Sequence, residues 1–146
     1  MTTIEYIIWM LYSSVILLLI ILSWTDIRAR IISNKIVFIL LMVVLPLAWL
    51  KHGEINIIPA LLVLVIGFIL FSFRIIGAGD IKLTSVLMLA LPNEQIIYFF
   101  FFTAFSGLIL IIVGLLFFRN SIRKLELPYG VAISSGFIIN LILFSV

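Results

Sequence analysis

Apolar residues occupy six blocks of the chain, at about 5–24, 36–50, 57–74, 83–92, 96–118 and 129–146. The polar breaks between them read TDIRARIISNK (25–35), KHGEIN (51–56), GAGDIK (77–82), PNEQ (92–95) and RNSIRKLELP (119–128). A helix that crosses a bilayer needs about 20 apolar residues, so the blocks predict six membrane helices with short connections. The fourth block is short and gains length only if its helix begins near Asp80. The predicted helices are therefore 5–24, 36–50, 57–74, 80–92, 96–118 and 129–146, making one all-α, polytopic transmembrane domain over residues 1–146. Asp80 is then expected at a helix start, close to the hydrocarbon.

Composition points the same way. Hydrophobic residues make up 66% of the chain and charged residues 10%, with a mean hydropathy of +1.47. A soluble domain is typically about half apolar, so the bilayer must be the solvent for most of this chain. The N-terminus lacks the basic n-region of a signal peptide, and the run Tyr6 to Trp24 is too long for an h-region and has no small-x-small cleavage site. It is expected to be a retained first helix. There is no cysteine, which excludes disulfides, zinc knuckles and thiol nucleophiles. The single histidine, His52, cannot build a multi-histidine metal site, and neither metal nor cofactor is expected. In a soluble protein the net charge of +3 would suggest nucleic acid. Here the few basic residues lie in loops, so membrane topology accounts for them and no nucleic-acid partner is expected.

Lysine and arginine orient the helices, because cytoplasmic loops carry them in excess. One set of alternate loops holds Arg28, Arg30, Lys35, Arg74, Lys82, Arg119, Arg123 and Lys124, and the other holds only Lys51. The first set is predicted cytoplasmic, with both termini outside. Of the acids, Glu5, Glu54 and Glu94 fall in outer flanks. Asp26 and Asp80, the two aspartates, fall on the cytoplasmic face, each at the boundary of an apolar run.

The segment GAGDIK has two readings. In one it is a polar turn, with Asp80 capping the following helix through backbone N–H groups. In the other, Gly77 and Gly79, which permit positive φ and close backbone approach, let a peptide lie against the loop while Asp80 faces it. Asp26, in WTDIRAR, could be an interfacial acid neutralised by Arg28 and Arg30, a pairing worth little when exposed. An ionisable group at a membrane-helix edge is also a functional-site candidate by default. Brought together, two aspartates suggest aspartic-protease chemistry, since close carboxylates hold one proton between them. The ionised member accepts a proton from water as it attacks a peptide carbonyl, and the protonated member polarises that carbonyl.

Three motifs carry a resemblance to a known family. Gly77-Ala78-Gly79-Asp80 matches the GxGD signature of intramembrane aspartic proteases, and with Ile81-Lys82-Leu83 it resembles the type IV prepilin peptidase form. That family carries an earlier aspartate followed by basic residues and Ile-Pro-Asn. Here Asp26, Arg28 and Arg30 precede Ile32-Ser33-Asn34, with Ser33 where the family has proline. Leu127-Pro128-Tyr129-Gly130 resembles the family's Pro-Tyr/Phe-Gly before the last helix. The resemblance implies an endopeptidase of the cytoplasmic membrane with catalytic Asp26 and Asp80. It would remove a short basic leader from pilin-like precursors at the cytoplasmic face, cutting after a glycine. Without cysteines or an N-terminal cytoplasmic region, the chain resembles the short peptidase-only members of tight-adherence (Flp-type) systems, expected to cleave without N-methylation. Pilus or secretion assembly components are candidate partners.

Smaller expectations follow. Lys82 could steady the loop, bind lipid phosphate or anchor topology, and Asn34 could cap the second helix. Pro128 is expected at the first position of the sixth helix, where its missing N–H costs nothing. Gly130 and Gly136 would permit close packing there, and Asn140 would bond between helices. The run Phe99 to Phe102 is expected to face lipid. A proton-coupled transporter using Asp26 and Asp80 as relay sites, or a non-catalytic pilus or secretion assembly subunit, are the rival readings.

Overall fold

A computed structural model describes residues 1–120 and 126–145. Six helices carry the described chain: α1 (Thr3–Ala29), α2 (Asn34–His52), α3 (Ile57–Ser72), α4 (Ala78–Met88), α5 (Asn93–Phe117) and α6 (Tyr129–Phe144). The apolar blocks thus became helices, with shifted ends. Arg123 and Lys124, counted above for topology, lie outside the described residues. Among the described residues, α1, α2 and α5 are long and apolar enough to cross a membrane, while α3 and α6 are shorter apolar helices. Helix α4 has 11 residues. At 1.5 Å per residue it is about 16 Å long, roughly half a hydrocarbon core.

Local chemistry sets the helix ends. Thr2 caps α1 in a reciprocal box: its N–H donates to Glu5 Oε2 at 2.8 Å, and its hydroxyl accepts from the Glu5 N–H at 3.4 Å. At the other end Arg30 turns left-handed, φ 55°, and its N–H donates to the Asp26 carbonyl at 3.0 Å. Helix α1 therefore runs five residues beyond the predicted Trp24 and takes Asp26 into its last turns. Helix α2 closes on Gly53, φ 72°, whose N–H donates to the Trp49 carbonyl at 2.9 Å.

The core follows helical spacing. Val15, Leu19 and Leu22 of α1 meet Leu40, Val44 and Leu47 of α2, and Ile133, Phe137 and Leu141 of α6 complete the cluster with Leu83, Leu87 and Met88 of α4. Helices α1, α2, α4 and α6 form this centre, with α3 packed on α4 and α5 packed on α6. Small residues set those outer contacts. Gly67 of α3 abuts Ile81, and Gly136 of α6 abuts Thr103 of α5 so closely that neither has room for a side chain. The Ser85 hydroxyl also donates to the buried Ala60 carbonyl at 2.7 Å.

Two outer expectations are resolved here. Asn140 does bond between helices, its Nδ2 donating to the Gln95 carbonyl at 3.2 Å. The phenylalanine run does not all face outward. Phe99 is fully buried and meets Phe137 edge-on at 6.1 Å, while Phe100 and Phe101 are exposed.

Candidate active site

The stripe that buries Val15, Leu19 and Leu22 continues, one turn on, to Asp26, which is only 5% exposed. A carboxylate is poorly placed at the C-terminal end of its own helix, where the dipole is negative. Another helix compensates. The N-terminus of α6 comes up against Asp26, and the N–H groups of Gly130 and Val131 are directed at its carboxyl. These are the second and third helical positions, whose N–H groups an N-cap side chain ordinarily satisfies. Pro128, in the N-cap position, makes no such bond. Asp26 therefore stands where the cap of α6 would be. The Val131 N–H also closes on the Pro128 carbonyl at 3.1 Å. Asp26 Oδ2 is buried with no hydrogen-bond partner among the described residues, so the amides approach the carboxyl without closing a bond on that oxygen.

Asp80 lies in the first turn of α4, half-buried, as expected for a helix start. It is not the cap. Gly77 takes that position, and no side-chain cap bond is made. The carboxylates of Asp26 and Glu126 both act on Asp80 through space. The two aspartates, 54 residues apart in sequence, are thus neighbours, at the end of the bundle where α1 finishes and α4 and α6 begin. Glu126 is the acid that sorting by flank left out. It sits in a break otherwise rich in arginine and lysine, and its distance from Pro128, two residues, is the signal that could have placed it here.

One apolar side chain ties the three motifs together. Ile32, between α1 and α2, lies against Gly79 and Gly130 at once. A side chain on Gly79 would stand 2.9 Å from Ile32 Cβ, and one on Gly130 would stand 3.1 Å from Ile32 Cδ1. The glycines of GAGD therefore serve differently from the expectation of unusual backbone angles. Gly77 has φ −73°, and Gly79 lies within α4. What Gly79 permits is the approach of the protein's own Ile32. Gly77 is looser, since a side chain there would meet only Asp80 Oδ2 at 3.4 Å.

The remaining candidates are peripheral. Asn34 does not cap α2, whose N-cap position is Ser33 without a side-chain bond. Instead its Oδ1 accepts from Lys82 Nζ at 3.3 Å, linking the start of α2 to α4 on an exposed face. Pro128 precedes the first helical residue rather than occupying it, a one-residue shift. His52 ends α2, at the opposite end of that helix from Asn34. Among the described residues no three histidine, aspartate or glutamate side chains are arranged to hold a metal ion.

The long apolar helices are those of a membrane protein, and two carboxylates stand within electrostatic reach of one another at one end of the bundle. The chain matches the type IV leader peptidase family over residues 13–112, and it belongs to that family. It is accordingly a peptidase of the kind that acts on pilin-like precursors in a membrane. The matched segment contains both Asp26 and Asp80 and ends before Pro128. No curated protein and no solved structure matches the chain.

Proposed function

We propose that this protein is an intramembrane aspartic endopeptidase of the GxGD type, with Asp26 and Asp80 as its catalytic pair. The observation that carries the reading is the meeting of these two side chains, from α1 and α4, within electrostatic reach of one another. Two carboxylates so placed share one proton. Water attacks the scissile carbonyl carbon and gives a proton to the ionised carboxylate, while the other carboxyl donates its proton to the carbonyl oxygen. Collapse of the tetrahedral diol breaks the C–N bond: one hydroxyl returns its proton to the pair as the carbonyl re-forms, and the departing nitrogen takes a proton from the pair. Gly79 and Gly130 let Ile32 and Asp26 pack closely at the pair, Gly77 borders Asp80, and Lys82, Asn34 and Pro128 lie at the edge of the site.

The substrate is a precursor whose short basic leader lies in the cytoplasm ahead of an apolar helix, as in Flp-type pilins, and the cut follows a glycine. Two features support a basic leader. Asp26, Asp80 and Glu126 concentrate negative charge at the site. Arg28, Arg30, Lys35, Arg74, Lys82 and Arg119 lie at the same end of the bundle, which the positive-inside rule assigns to the cytoplasm. In this reading all six helices are embedded in the cytoplasmic membrane, both termini lie outside, and the new N-terminus is left unmethylated.

The test is cleavage of a co-expressed precursor in membranes, scored by the size of the pilin. Wild type is expected to shorten it, and Asp26→Asn and Asp80→Asn, present at equal amounts, to leave it intact. Cleavage by both variants would remove the pair from the mechanism.

A further inference from the structure

The two arginines that follow Asp26 look alike in sequence and behave differently in the fold. Arg28 lies over the exposed Trp24 ring at 4.8 Å, an ordinary place for a cation at a membrane surface. Arg30 turns the other way. Its backbone is left-handed, φ 55°, a conformation uncommon for a residue with a side chain. The N–H bond to the Asp26 carbonyl holds it there. From this position the guanidinium acts electrostatically on the Asp26 carboxyl. Yet Nε and Nη1 are both buried and make no hydrogen bond among the described residues.

Buried donors of this kind are nearly always bonded. Asp26 Oδ2, on the carboxyl within electrostatic reach of the guanidinium, is also buried and unbonded among the described residues. The guanidinium thus has an open donor on each of its two edges, and either one is complementary to a group that carries an acceptor. Electrostatics narrows the choice. Asp26 lies within electrostatic reach of the guanidinium, and Asp80 within reach of Asp26, and this negative charge disfavours a phosphate or a carboxylate. A neutral peptide unit meets no such opposition, and its carbonyl is a strong acceptor.

We propose that Arg30 is a substrate-binding residue, whose Nε–H or Nη1–H donates to a backbone carbonyl of the precursor near Asp26. The assignment rests on the peptidase reading above. It adds a contact with the main chain, independent of leader sequence, next to the reacting bond. It also gives a function to the left-handed turn, which aims the guanidinium back at α1 instead of out to the surface.

The experiment uses the full chain in detergent and a synthetic precursor with a basic leader, a glycine and an apolar segment. A series of precursors each replaces one backbone carbonyl near the cut by a thiocarbonyl, a poorer acceptor. Arg30→Asn removes the guanidinium while tolerating the left-handed backbone, and Arg30→Lys keeps the charge without the guanidinium donors. Both are expected to lower kcat/KM by about 10- to 100-fold, the scale of a lost charged hydrogen bond, chiefly through KM. Wild type is expected to be sensitive to one thiocarbonyl position at which R30N shows no further loss. Unchanged cleavage by R30N, or loss of activity with the same thiocarbonyl sensitivity as wild type, would overturn the proposal and leave the peptidase reading standing. If R30N does not accumulate, R30K decides by the same comparison. A wild-type protein that cleaves none of the precursors would end both readings.

Discussion

Gly130 and the Asp26 carboxyl lie so close that a side chain on the glycine would stand 2.6 Å from Oδ2. Gly130→Ala must therefore push Asp26 out of place or move the start of α6. A displacement of about 1 Å at a reacting group costs roughly a hundredfold in rate, and that loss of cleavage is expected here. Gly107→Ala is the control, because its nearest neighbour is Ala132 Cβ at an ordinary 3.8 Å. Cleavage rates of the two variants, at matched amounts in membranes, test the contact. Equal rates would show that α6 yields without cost.

The glycines of GAGD are expected to differ. Gly79→Ala would meet Ile32 Cβ, which the backbone holds, at 2.9 Å, while Gly77→Ala would meet Asp80 Oδ2 at 3.4 Å, ordinary contact. Overpacking of the first kind costs about 1–3 kcal/mol. Gly79→Ala is expected to lower both thermal stability in detergent and cleavage, and Gly77→Ala to retain most of each. The reverse order would mean that Gly77 meets the substrate itself.

Glu126 supplies charge at the site from an exposed position. Glu126→Gln is expected to raise KM for a precursor with a basic leader by less than about fivefold, the range of an exposed ion pair, with kcat unchanged. The increase is expected to shrink at high salt. A leader stripped of lysine and arginine is expected to show no difference between the two enzymes, which steady-state kinetics on paired precursors would check.

Lys82 and Asn34 meet at 3.3 Å on an exposed face. Such a contact is worth little, and Lys82→Met and Asn34→Ala are each expected to change cleavage by less than about fivefold. A hundredfold loss at Asn34 would instead place that amide among the groups that touch substrate.

Within the phenylalanine run, burial predicts opposite outcomes. Phe99 fills the space beside Phe137, and Phe101 is 64% exposed. Phe99→Ala leaves a cavity and is expected to lower the melting temperature in detergent well beyond the effect of Phe101→Ala. Similar melting temperatures would mean that α5 and α6 can collapse into the space.

These contrasts show where sequence was readable. The order of helices, and Asp80 at the start of one, could be read because hydrocarbon blocks and polar breaks alternate on the scale of a bilayer. The end of α1 could not be read in that way. An aspartate followed by two arginines resembles a loop, and the amides of Gly130 and Val131, about a hundred residues away in sequence, together with Arg30 make helix acceptable through Asp26. Its place in the series Val15, Leu19, Leu22, Asp26 was the available hint. Phe99 was hidden for another reason. When lipid replaces water, polarity no longer distinguishes an inward face from an outward one, and close packing must do so. Ile32 is marked in the sequence only as the first residue of Ile32-Ser33-Asn34, which says nothing of its contacts. Its position between two glycines exists only once α4 and α6 have come together.

Helix α3 buries only Ala60 and Gly67 against its neighbour and turns Ile58, Leu61, Leu62, Val65 and Phe68 outward. On that outer surface one bulky hydrocarbon serves as well as another, so mutation there is nearly invisible to selection. At Ala60 and Gly67 even a methyl group is counted. Over evolutionary time the helix is therefore expected to exchange its isoleucines, leucines and phenylalanines freely while those two small residues persist, a nearly blank stretch pinned at two points.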